Sequence, residues 1–83
     1  MNEVVEIVRS PLCQKITSGG KDVQVEIYHG GDGLWSLEVV DEFGNSTVWE
    51  DLFETDTAAL TEVKEVILAE GIDALIGSNT GTN

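Results

Sequence analysis

Two stretches of this chain alternate with period two and are separated by glycine. Val23, Val25 and Ile27 are interleaved with Gln24, Glu26 and Tyr28, and Trp35, Leu37 and Val39 with Ser36 and Glu38. Side chains point alternately to the two faces of a strand, so each stretch reads as a β-strand with one apolar and one polar face. The pattern and its glycine breaks predict four consecutive antiparallel strands over residues 13–18, 22–29, 34–40 and 45–49.

The turns fix how these strands meet. A three-residue loop at Gly31-Asp32-Gly33 with Gly33 at positive φ pairs Val25 with Val39, Ile27 with Leu37 and His29 with Trp35, so the apolar faces coincide. The same geometry at Glu42-Phe43-Gly44 sets Thr47 opposite Val39 and Trp49 opposite Leu37, bringing Trp49 to the core side. A four-residue loop there would turn Val48 inward and put Trp49 outside with Tyr28, Leu34 and Val40. Gly19-Gly20 as a two-residue turn sets Ile16 across from Val23.

Beyond the strands, Thr55-Asp56-Thr57 offers capping oxygens and a first-turn acid for a helix, with Leu60, Val63 and Ile67 on one face. The helix is expected to run to about Glu70, with Gly71 as a left-handed cap, followed by a short apolar extension over residues 72–76. Val4, Val5, Ile7 and Val8 fit a short N-terminal helix or a strand, either one ended by Pro11, and the helix is the preferred reading. The fold class is therefore α+β: a two-layer, four-stranded antiparallel meander with a C-terminal helix on one face. Residues 1–76 form one domain and 77–83 a disordered tail. The expected core is Ile16, Val23, Val25, Ile27, Trp35, Leu37, Val39, Trp49, Phe53, Leu60, Val63 and Ile67.

Charge narrows the function. The 83 residues hold 16 Asp and Glu against 4 Lys and Arg, a formal net charge of -12. Such a field repels nucleic-acid phosphates and anionic lipid and attracts basic surfaces or cations. Six of the carboxylates, Asp41, Glu42, Glu50, Asp51, Glu54 and Asp56, lie in one stretch without a Lys or Arg. They are the candidate partner-binding residues, with Tyr28 and Leu34 as a possible aromatic outer face. As oxygen ligands, Glu50, Asp51, Glu54 and Asp56 also offer a weak divalent-cation or small-molecule site beside His29 and Trp35, although their spacing matches no calcium loop.

Other motifs carry ordinary readings. His29-Gly30-Gly31 resembles an oxyanion-hole segment of some esterases, but His29 is the single histidine and no Gly-x-Ser-x-Gly nucleophile elbow occurs. Gly31-Asp32-Gly33 leads into a strand where a dinucleotide site needs a helix, so these glycines read as turn formers. Cys13 is the sole cysteine, which excludes an internal disulfide and the paired cysteines of zinc sites. An acidic start and the lack of a long apolar run point to the cytoplasm, where the Asn45-Ser46-Thr47 sequon has no use.

The segment 23–71, with Glu26-Ile27-Tyr28, the run from Trp35 to Asp41, Ser46-Thr47-Val48-Trp49 and Phe53-Glu54-Thr55-Asp56, is similar to short bacterial proteins of unassigned function. In outline it also resembles the N-terminal β-β-β-α unit of HicB-type antitoxins. That fold is related to double-stranded-RNA-binding domains. The resemblance implies a sheet-plus-helix unit. It carries over neither operator binding, since the DNA-binding segment that usually follows has no counterpart within 83 residues, nor RNA binding, which needs basic residues.

The expectation is thus a non-catalytic, acidic protein-interaction module that binds a basic partner surface. It is not expected to be an enzyme, or to need a cofactor, nucleic acid or membrane.

Overall fold

The computed structural model describes residues 7–30 and 33–77. Expectations for residues 1–6, 31–32 and 78–83 lie outside them. The elements are β1 (Val8–Arg9), β2 (Gln14–Ser18), β3 (Lys21–His29), β4 (Ser36–Asp41), β5 (Ser46–Val48), α1 (Asp56–Glu70) and a 3-10 turn over Ile72–Leu75. The sheet is antiparallel and runs β1-β3-β4-β5, with β2 also paired to β3.

Among the described residues there are five strands, not the expected four, because the first edge is broken in two. Val8 and Arg9 pair with His29 and Tyr28, and pairing resumes at Gln14 opposite Val25. Four residues, Ser10 to Cys13, therefore stand opposite only two, Glu26 and Ile27, and the excess is taken up in a turn closed by Cys13 N–H donating to Ser10 C=O at 3.2 Å. This is a bulge, placed where proline has no N–H to give a ladder. It corrects the helical reading of the N-terminal segment at Val8 and Arg9, which form a strand.

The bulge would orphan the amide of Ile27, a fully buried residue, but the Cys13 thiol fills the gap. Its Sγ accepts from Ile27 N–H at 3.1 Å and donates to Ile27 C=O at 3.3 Å, while Ser10 N–H donates to the same carbonyl at 2.8 Å. A buried amide without a partner is costly, so this small polar atom is what lets the edge change course.

The hairpins pair as the turns predict: Ile16 with Val23, Val25 with Val39, Ile27 with Leu37 and Thr47 with Val39. Gly19 and Gly20 both have positive φ, as a two-residue hairpin turn requires, and Gly44 takes φ 88° in a three-residue loop. The four-residue alternative does not occur: Val48 is exposed and Trp49 packs against the core.

Helix α1 covers one face of the sheet. Thr55 caps it, its hydroxyl accepting from Ala58 N–H at 3.0 Å. Gly71 departs from the left-handed expectation: it has φ 89° but an extended ψ of 156°, and its N–H donates to Ile67 C=O. The chain thereby leaves the helix directly into the 3-10 turn, which folds Ile72 and Leu75 back under the sheet.

Val23, Val25, Ile27, Leu37, Val39 and Val63 are fully buried, joined by Ala59, Leu60, Ile72 and Leu75. Each large aliphatic burial is worth about 1.5–3 kcal/mol. Ile16, Trp35, Trp49, Phe53 and Ile67 pack at the margin of this core rather than within it.

Candidate functional site

The six carboxylates of residues 41–56 divide into two kinds. Asp41 ends β4 at 5% exposure, so it is corrected from surface to interior. A three-residue loop leaves backbone donors turned inward, and the Asp41 carboxylate gathers them. Oδ1 accepts from the amides of Phe43 (2.9 Å) and Asn45 (2.8 Å), and Oδ2 from the Asn45 side chain (3.2 Å) and the Gly77 amide (2.6 Å). Burial pushes its pKa up, but the hydrogen bonds from Gly77, Asn45 and Phe43 together outweigh burial and hold it below the usual aspartate range. Gly77, expected to begin a loose tail, is thus tied to the second hairpin.

Asp56 is also structural. It is half-buried at the first turn of α1 and accepts from the Ser10 hydroxyl at 2.7 Å. That hydroxyl in turn accepts from Leu12 N–H at 2.9 Å, joining the edge bulge to the helix start. Nothing in the sequence marked Ser10, which is buried, except its place beside Pro11.

Glu42, Glu50, Asp51 and Glu54 are exposed. Glu50 and Asp51 sit on a connection whose ends are held inward by aromatic residues, and Glu54 directly follows it. At one end Trp49 N–H donates to Leu37 C=O at 3.1 Å and its indole N–H to Glu62 at 3.2 Å. At the other, Phe53 and Trp35 exchange two backbone hydrogen bonds of 2.8 and 2.9 Å. With Trp49 and Phe53 packed against the core, the residues between them, Glu50, Asp51 and Leu52, are presented to water.

Apolar side chains are exposed on the same part of the chain. Leu52 is 47% exposed, Val48 on the edge strand β5 57%, and Phe43 at the hairpin tip 49%. The expected core already left all three out, but periodicity says only that a residue is not interior, and so did not mark them as a surface. Tyr28 and Leu34 behave differently: Tyr28 is half-buried, its phenol pKa raised by burial and then by Glu38 and Glu26, and Leu34 is only marginally exposed.

Trp35 and Phe53 bring the 50–56 connection next to His29, whose ring meets Trp35 edge-on at 4.4 Å. Among the described residues, however, no three His, Cys, Asp or Glu side chains converge as metal ligands. Among them too, no helix is long and apolar enough to cross a membrane. No protein-family model matches the chain, and comparison with curated proteins and with solved structures returned no match.

Proposed function

We propose that this chain is a small acidic, non-catalytic interaction module that docks a basic protein surface through the 42–54 region. One observation carries the reading: exposed carboxylates at Glu42, Glu50, Asp51 and Glu54 alternate with exposed Phe43, Val48 and Leu52, on a segment with no cation of its own. Exposed apolar side chains interspersed with charge of one sign are the composition of a docking surface, the apolar part supplying affinity and the charge steering the encounter. The inward aromatics hold the connection in shape before binding, which lowers the ordering cost.

The test is affinity capture from the source cell with the wild-type chain and two variants, Glu50→Gln/Asp51→Asn/Glu54→Gln and Val48→Ser/Leu52→Ser. The expected result is one protein with a basic surface, retained by the wild type and lost from both variants, with an association rate that falls as salt rises. An unchanged set of captured proteins would defeat the proposal.

A further inference from the structure

The chain has four cations, and they are not spent alike. Arg9 pairs with Glu26, and Lys21 with Asp73 at 2.6 Å. Among the described residues, Lys15 and Lys64 are in no ion pair, and both line the same groove, a cavity of about 420 Å³ completed by Gln14, Ile16, Ile67 and Leu68. Lys15 and Ile16 lie on β2, while Lys64, Ile67 and Leu68 occupy positions i, i+3 and i+4 of α1, so the groove runs between an edge strand and the helix. β2 pairs with β3 on one side, and among the described residues no strand pairs with its other side. Leu68 stands 86% exposed on the helix wall.

We infer that this groove binds an extended peptide carrying carboxylates among apolar side chains, added to β2 as a further strand. This goes beyond the docking surface proposed above and uses the opposite edge of the sheet. The free edge of β2 supplies backbone donors and acceptors, the mode by which strands are added to sheets. Ile16, Ile67 and Leu68 receive the apolar side chains on the helix side, Lys15 on the other face of β2 meets the carboxylates that alternate with them, and Lys64 adds positive charge at the helix wall. Elsewhere the net charge of -12 repels such a peptide, so the groove is where an acidic ligand is least opposed. A second copy of the chain fits less well, because β2 itself has Gln, Lys, Ile, Thr and Ser and brings no carboxylate to meet Lys15 and Lys64.

The probe is a capped hexapeptide of alternating valine and glutamate, with a valine–lysine hexapeptide as control, followed by backbone amide NMR and hydrogen exchange on the full chain. The expected result is saturable shifts at Lys15, Ile16, Lys64 and Leu68 with slowed exchange in β2, and no such effect there from the lysine peptide. Lys64→Glu and Leu68→Ser should each weaken binding about fivefold. Both side chains are exposed, so an unchanged melting temperature confirms that the variants are folded. The Glu50→Gln/Asp51→Asn/Glu54→Gln variant should bind the acidic peptide at least as well as wild type, which separates this groove from the other surface. The inference is overturned by absence of saturable shifts, by binding that ignores Lys64→Glu, by decanoate giving the same shifts with no slowing of β2 exchange, or by concentration-dependent protection of β2 without peptide, which would mean self-association.

Discussion

At the scale of single residues, the carboxylate that matters most to the fold is Asp41, whose four hydrogen bonds close the second hairpin. Replacing it with alanine strands several of those donors and should cost about 2–3 kcal/mol by denaturant unfolding, a large part of the stability of a domain this size. Its folded pKa lies below its unfolded one, so its contribution is present above the unfolded value of about 3.9 and fades as pH falls through the folded value. The stability difference between wild type and Asp41→Asn should therefore narrow as pH drops below about 4. A difference that stays constant would show that ionisation of Asp41 adds nothing. Cys13 is the second such residue: Cys13→Ala removes the acceptor of the buried Ile27 amide and should cost about 1–2 kcal/mol, with Cys13→Ser recovering part of it.

At the scale of elements, the strand pairs were legible in the sequence because alternation and turn chemistry gave the same answer. Gly19-Gly20, Gly33 and Gly44 each permit a loop length that brings one apolar face onto the next, and Trp49 follows from that register. The rest lacked a local signal. A two-residue strand such as Val8–Arg9 shows no period, and Pro11 looks the same whether it ends an element or sits in a bulge. Ala59 is too small to stand out in a helical pattern, yet it is fully buried beside Leu60. Asp41 read as surface because a carboxylate among carboxylates looks solvated. The faint clue was an aspartate preceding a three-residue turn with Asn45 four positions on. The groove beside Leu68 was illegible for a different reason, since its two walls come from β2 and α1, some 50 residues apart. Helix α1 also permits a direct test of its ends. Thr55→Ala should lose about 1 kcal/mol with the cap, whereas Glu70→Lys should gain about 0.5 kcal/mol, because the last turn has no basic residue to meet the negative end of the helix dipole.

At the scale of the whole molecule, charge and burial oppose each other. A net charge of -12 on 83 residues pushes the compact state apart, and the two ion pairs among the described residues, Arg9–Glu26 and Lys21–Asp73, lie at the surface and offset little of it. Raising ionic strength from about 10 mM to about 150 mM shortens the screening length from roughly 30 to 8 Å and should raise the melting temperature by about 2–5 °C, measured by circular dichroism. A melting temperature that stays level or falls over that range would mean that self-repulsion is not what limits stability. The two proposals place unlike ligands at unlike edges: a basic surface at the carboxylate-bearing side of β5, and an acidic peptide at the lysine-bearing groove beside β2.

The Gly77 amide reaches back 36 residues to the Asp41 carboxylate at 2.6 Å, so the close of the described chain latches a hairpin formed much earlier in the sequence. A protease that trims inward only as far as Ser78 would leave that latch fastened. One further bite, removing Gly77, would loosen the hairpin from afar, and with it the arm that carries Phe43 and Val48.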